Sequence, residues 1–428
     1  MRKKVKNSLV YLVIIGMFVN MISFNHEIVL ADYETERISI QEVAELSCIY
    51  KASTDTEDWI VNDENDIEYP IDSDSNEWGN FTSHVDMINA CTVPEDILKT
   101  ASTEELISLI QNYPLLCDIF AYNSIEEGLI ALIKQSNVFE ELFTREDIAD
   151  KLYDIYLDTE ISNNISESEE AFYMVADTVL LEALLAQDYI LDKFSSEKKD
   201  NLVNEVILKS EEKVKLDIYN GNEITFFDVA EETESINELN VDYNVIDLTE
   251  LNNNEETSIL TTATTVSSTS SSTTTVKTPN GTKVTVIIYS YNGDTWANTL
   301  TNTMSAKYPS ATVVRNADNR YNCHSYAWYS TSTSNYYWMN SPKKYVSDGS
   351  YKLAGSSPTA NSQKIVYKDQ SYVPLDDWIH SGIVVSYKSS SSYKVQSKWG
   401  QGPLMRHSKG YSPYTGSYTT ISFYKKAS

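Results

Sequence analysis

Arg320-Tyr-Asn-Cys-His-Ser-Tyr-Ala-Trp328 and, further on, Trp378-Ile-His-Ser-Gly-Ile-Val-Val-Ser386 decide how this chain reads. A turn-rich lead-in from Asp318 ends at residues that continue as a helix, which sets Cys323 in its first turn. The second stretch opens a strand at His380. A free thiol is mostly protonated at neutral pH, and a helix N-terminus or a nearby imidazolium favours the thiolate. The pattern therefore predicts Cys323 as a nucleophile with its own backbone N–H near a developing oxyanion, and His380 as its base. His324 is the weaker base, because adjacent helical residues point about 100° apart. A turn at Ser390 and Ser391 folds Tyr393 to Trp399 back along the His380 strand, placing His380 roughly opposite Trp399 to Gln401. Gln401 is then the candidate to orient the imidazole through its amide oxygen, with Ser397 and His407 as rivals.

Around these stretches the sequence reads as α+β. Lys283 to Ser290, Ala311 to Val314, Gln363 to Tyr367, His380 to Tyr387, Tyr393 to Trp399 and Tyr418 to Tyr424 carry the β-branched and aromatic runs of strands. Asp294 caps a helix through Trp296, Leu300, Met304 and Tyr308. An antiparallel sheet with the cysteine helix in front of it is the expected architecture of residues 279–428.

Residues 231–278 are acidic and then almost wholly Ser and Thr, and read as a flexible linker. Residues 91–230 read as an acidic all-α domain. Ser102-Thr-Glu-Glu105 and Ser124-Ile-Glu-Glu127 are capping-box patterns, and Thr144-Arg-Glu-Asp147 opens a third helix. Longer helices are expected from about Ser166 to Lys193 and Glu197 to Ser210. Their Leu, Ile and Phe stripes read as core, and no metal-type spacing of His, Asp and Glu accompanies them. Residues 32–90 read as an acidic irregular segment, with loops from Thr54 to Glu77 and one histidine, His84, near its end.

The net charge of −29 conceals opposite halves. Residues 277–428 hold 17 Lys and Arg against 6 Asp and no Glu, a balance of +11, so the rest of the chain carries −40. That split predicts domains with different surroundings. Residues 1–31 read as an export signal: a basic start, an apolar stretch from Ser8 to Phe24 and small residues at Val29-Leu-Ala31. The expected product is secreted, with no stable membrane span after signal removal. Four cysteines do not make a disulfide scaffold; one pair among Cys48, Cys91 and Cys117 is open, although Cys117 reads as a buried small hydrophobe. No cofactor and no metal are expected, since Cys323 and His324 do not readily reach one ion.

Asn322-Cys-His-Ser-Tyr-Ala-Trp328 followed by His380-Ser-Gly-Ile-Val-Val-Ser386 resembles the CHAP and NlpC/P60 branches of the papain-like cysteine peptidases. The resemblance covers roughly residues 318–424, with Ser362-Gln363 standing where those families usually carry Gly-Asp. It implies a papain-like domain in which Cys323 matches the nucleophile and His380 the base. It also implies a bacterial peptidase or amidase with a peptide or peptidoglycan substrate; the export signal makes it secreted, and the basic, Tyr-rich surface of residues 277–428 suits an anionic wall polymer or acidic peptide. Nucleic acid is not expected as a partner. The alternative is a non-catalytic binding protein of the cell surface with the same fold.

Overall fold

The computed structural model describes residues 40–44, 59–61, 67–73, 75–161, 169–239, 271–369 and 377–427. The expected export signal, Cys48 and most of the Ser/Thr-rich stretch lie outside them. Helices occupy the N-terminal part: α1 (Ile40–Ala44), α2 (His84–Ala90), α3 (Glu95–Thr100), α4 (Thr103–Gln111), α5 (Ile125–Gln135), α6 (Val138–Leu142), α7 (Ile148–Asp158), α8 (Glu169–Leu185), α9 (Asp188–Leu191), α10 (Ser196–Lys213) and α11 (Thr225–Glu232). Ser102 caps α4 with the full reciprocal box, its side chain accepting from Glu105 N–H while the Glu105 carboxylate accepts from Ser102 N–H. At α5 the box is displaced by one residue. Ser124 accepts from Glu127 N–H, but the Glu127 carboxylate accepts from Asn123 N–H at 3.2 Å. That displacement fixes Asn123 at the start of α5, where it meets the cysteine segment.

The centre of the helical part is α8, whose Phe172, Val175, Val179, Leu180, Leu184 and Leu185 are all fully buried. Each such side chain stabilises the fold by about 1.5–3 kcal/mol relative to exposure. Glu182 on the same helix is buried as well, paired with Lys213 of α10 and accepting from Tyr156 OH at 2.8 Å. A buried charge needs such partners, so this group is structural.

The C-terminal part is an antiparallel sheet. Minimal strands β1 (Ile60–Val61) and β2 (Ile67–Glu68) pair near the N-terminus, and β3 (Ser272–Lys277) pairs with β4 (Lys283–Ile288). The main sheet has seven strands in the order β5-β10-β9-β8-β7-β11-β6. These are β5 (Thr312–Arg315), β6 (Tyr351–Gly355), β7 (Lys364–Asp369), β8 (Asp377–Ser389), β9 (Ser392–Lys398), β10 (Leu404–His407) and β11 (Thr419–Lys426). Helix α12 (Asp294–Lys307) and the short α13 (Lys344–Ser347) complete the chain.

Three expectations change. The Ser/Thr run does not end as linker, because Ser272–Lys277 is a strand whose residues pair one for one with β4 and bury Val276. Backbone pairing compensates there for the lack of apolar side chains. The segment before residue 91 is not merely irregular, since Trp78, His84, Met87 and Ile88 are fully buried and α2 is formed. Most importantly, the helical and sheet parts do not stand as separate domains. Both lie within one compact unit, Ile38–Ser428, and one hydrophobic core runs from Leu180 and Phe227 through Trp296 and Tyr308 to Val384 and Trp399.

The seam between them is built from hydrogen bonds and buried aromatics. Trp78 donates to the Lys307 carbonyl at 2.8 Å, and Tyr308 OH donates to the Asp118 carboxylate at 2.7 Å. An ion pair across the seam, Lys134–Asp369 at 2.8 Å, runs against the charge bias, with the acidic half supplying the lysine. Net charge separation is therefore a property of the two outer surfaces rather than the glue between the parts.

Candidate active site

Cys323 lies where the sequence places it, at the start of a helical segment, but the segment is short. Ser325–Tyr329 is a single π-helical turn, a form often found where a helix is adapted to a functional site. Asn322 builds the turn. Its side-chain oxygen accepts from Ser325 N–H at 3.1 Å and Met339 N–H at 3.2 Å, and its amide donates to the Met339 carbonyl and to Asn123 Oδ1 at 2.9 Å. The last contact joins the cysteine segment to the start of α5.

The backbone N–H groups of Ser381 and His324 face the Cys323 sulfur, so the thiol lies against the residue that follows His380. Cys323 is 2% exposed and His380 is 0% exposed. Burial pushes the Cys323 thiol up to about 12, and the Ser381 and His324 N–H groups and the Lys398 ammonium oppose this only in part. Burial likewise pushes the His380 imidazole well below its ordinary value, with His407 and His324 adding to the shift. Both groups are therefore neutral in this folded state, whereas thiol catalysis needs the thiolate.

The imidazole also has no hydrogen-bond partner at either ring nitrogen. It lies flat on Tyr414, with ring centroids 3.4 Å apart and planes 7° from parallel. Gln401 does not orient it, contrary to expectation. The β8–β9 register sets Ile383 against Gln396 and, carried back, His380 against Trp399; the chain then turns at Gly400, whose φ is 49°. Beyond that turn Gln401 is tied by its main chain instead: its N–H donates to the Phe120 carbonyl at 3.0 Å, and its carbonyl accepts from Asp318 N–H at 3.1 Å.

The two rivals form a pair of their own. Ser397 Oγ and His407 Nε2 are 2.9 Å apart on adjacent strands, and His407 Nδ1 is 2.8 Å from the Ser408 carbonyl. A carbonyl only accepts, so Nδ1 carries the proton and Nε2 accepts from Ser397. Burial brings His407 down to about 4. His324 points elsewhere, to Ser381 Oγ at 2.9 Å, which also accepts from Trp328 Nε1.

A pH dependence follows. The unfolded chain takes up protons on its histidines near their ordinary value of 6.5, but folded His407 resists until about 4 and His380 resists as well. The stability these two histidines contribute is thus complete above about 6.5 and is lost as pH falls, by up to ~1.4 kcal/mol per pH unit for each. Urea titrations between these limits should show that loss, and His407→Gln should remove about half of its slope. An unchanged slope would contradict the assignment.

Several residues of the site escape sequence reading. Tyr414 covers His380 and donates its hydroxyl to the Ala121 carbonyl, while Tyr122 OH donates to the Pro413 carbonyl at 2.9 Å. Lys398 is fully buried, with its ammonium 2.7 Å from the Gly400 carbonyl and over the Tyr321 ring, and burial lowers it to about 7. Only the richness in tyrosine from Tyr411 to Tyr418 hinted at these contacts. Beside His380 a small cleft of about 80 Å³ opens between α5 and the sheet, lined by Tyr122, Lys134, Gln135, Asp369, Trp378 and Tyr414 among others. Gln135 Oε1 is buried there without a hydrogen-bond partner.

Among the described residues no group of three or more His, Cys, Asp or Glu side chains is placed to hold a metal ion. Cys91 and Cys117 are buried and are not bonded to each other. No described helix is long and apolar enough to cross a membrane. Comparison with family models, curated proteins and solved structures finds no match for the chain.

Proposed function

We propose that this chain is a secreted bacterial cysteine peptidase or amidase of papain-like type, acting on cell-wall peptides and folded here in a covered, inactive form. The observation that carries the reading is the seating of the Cys323 sulfur against the residue after His380, beside Asn322, Gln401 and Tyr414, which are themselves bonded to the segment Phe120–Asn123. The main source of both shifts is burial. Uncovering the site would lower the thiol and raise the imidazole together, which is the change that favours a thiolate–imidazolium pair. The thiolate would then attack a peptide or amide carbonyl, expel the amine on a proton from His380, and leave a thioester for water to hydrolyse.

The turn before β7 lends support. Ser362 has φ 65°, the left-handed conformation natural to glycine, and Gln363 Oε1 accepts from the backbone N–H groups of Thr359 and Ala360. Ser362-Gln363 thus forms this turn without the Gly-Asp usual in the families this segment resembles. Ser362→Gly should stabilise the protein by up to about 1 kcal/mol, read as a higher denaturation midpoint. A lower midpoint would show that the serine side chain is needed.

The unpartnered imidazole favours a second reading, a non-catalytic binding protein of the cell surface. Activity measured on wall peptides after uncovering separates the two. Cleavage that disappears with Cys323→Ala supports the enzyme; binding without cleavage supports the alternative.

A further inference from the structure

We propose that Lys398 is a positioning residue of the thiol site, its buried ammonium holding the negative charge that Cys323 must carry before it can attack. This role rests on the thiol-hydrolase reading and gives it a cation that the mechanism otherwise lacks. Strand register brings the lysine to the site. The β8–β9 pairing of Ile383 with Gln396 and Val384 with Val395, carried back, sets Ser381 opposite Lys398. Directly opposed residues of an antiparallel pair lie about 4.5–5.5 Å apart and point to the same face of the sheet. Ser381 is the residue whose N–H faces the Cys323 sulfur, and its Oγ reaches Trp328 and His324 of the cysteine segment. Gln396, two residues earlier on β9, shares that face, and its Nε2 donates to Tyr326 OH at 2.6 Å. The Lys398 ammonium lies 4.9 Å from the centre of the Tyr321 ring. Tyr321 and Tyr326 stand on either side of Cys323 in the chain, so Gln396 and Lys398 bracket the thiol. Ser397, between those two, turns to the other face and meets His407.

The lysine is an expensive one to keep. It is 0% exposed, and its ammonium, with three protons to donate, gives one to the Gly400 carbonyl at 2.7 Å. A buried cation ordinarily needs a carboxylate, as Lys213 has in Glu182. The carboxylate that acts on Lys398 is Asp318, and both of its oxygens are taken by Arg320, at 2.9 and 2.8 Å. β10 offers it only Leu404, its opposite residue on that side. The groups around the thiol leave the same gap. Burial keeps His380 of β8 neutral, Glu127 of α5 opposes a thiolate, and Tyr321 and Tyr414 are held protonated. His324 is engaged with Ser381 Oγ. Lys398 is the cation that favours the thiolate, beside the Ser381 and His324 N–H groups. The effect is mutual: burial lowers the amine to about 7, and Asp318 and Cys323 oppose that fall. A thiolate formed there keeps the proton on the amine, and the ammonium keeps the thiolate ionised. In the proposed reaction the thiol proton passes to His380, and Lys398 retains its own.

The pH profile of Cys323 alkylation provides the test, because the rate follows the thiolate. Iodoacetamide labelling of the full-length protein, read at the Cys323 peptide by mass spectrometry, should be followed from about pH 6 to about pH 11 in the native protein, Lys398→Met and Lys398→Gln. Methionine keeps the shape without the charge, and glutamine keeps a donor for the Gly400 carbonyl. Both variants should move the inflection up by at least ~1 pH unit, which is about 10-fold slower labelling at pH 7. More or less frequent opening of the site would scale the whole profile without moving its inflection. Cys91, shifted by burial and by Lys307, Asp118 and Asp72, is the reference thiol whose profile should stay in place. Inflections that coincide in all three proteins would overturn the proposal. So would a native profile in Lys398→Gln alone, which would assign the role to the hydrogen bond, or loss of the circular dichroism of both variants, which would make the lysine structural. Amine release from wall peptides is measured beside it. A raised inflection in both variants with no release by any form leaves Lys398 as the keeper of the thiolate and removes the hydrolase reading. Release together with coincident inflections removes Lys398 and leaves the hydrolase.

Discussion

Gly400→Ala should loosen the helical cover and expose Cys323 while the secondary structure persists. Gly400 adopts φ 49°, and a Cβ added there would lie 2.4 Å from both the Ala121 carbonyl carbon and the Tyr122 oxygen. Those are backbone atoms of the Phe120–Asn123 segment, so no side chain can swing aside to relieve the clash. The neighbouring bond from Gln401 N–H to the Phe120 carbonyl would be displaced with it. A disruption of this kind costs on the order of 2–4 kcal/mol. If that falls on the closed seam, the open fraction rises roughly 30-fold or more, and iodoacetamide should label Cys323 faster by the same factor. Far-ultraviolet circular dichroism should remain native. Unchanged labelling would mean that Phe120–Asn123 does not control access to the thiol.

Cys323→Ala should abolish hydrolysis by the uncovered protein, a loss of at least about 10³-fold, because a nucleophile that forms the covalent intermediate has no substitute. The fold should barely change. Cys323 is buried, but its side chain is small, and truncation to alanine should cost no more than about 1–2 kcal/mol. This combination separates a nucleophile from a packing residue: a core cysteine would show a similar small stability loss with no kinetic effect. His380→Ala should also remove turnover, but it would leave Tyr414 without its stacking partner and is the less clean of the two.

Much of this arrangement is legible in the amino-acid order. Capping residues such as Ser102 and Ser124 mark real helix starts because their hydrogen bonds are local. The hairpin that brings His380 near Trp399 follows from alternating strands on either side of Ser390. What the order does not reveal depends on contacts between residues far apart. The strand Ser272–Lys277 has little apolar content and is formed by its partner β4. Leu404–His407 is too short to stand out, yet it brings His407 to Ser397 and removes both from the histidine-orienting role. Gln401 looked suited to that role by its place in the hairpin, but the turn at Gly400 sends it to Phe120. Charge was the most misleading signal. The opposite signs of the two halves suggest independent bodies, whereas Trp78, Asp118 and Tyr122 join them through buried polar contacts that net charge does not register.

We propose Cys323 as a nucleophile held silent by the helical part. This role is tested most directly by the time course of amine release from wall peptides, comparing Gly400→Ala with Gly400→Ala/Cys323→Ala. The account predicts steady release by the single variant and none by the double variant. No release by the single variant, even though iodoacetamide labels its Cys323 completely, would contradict it.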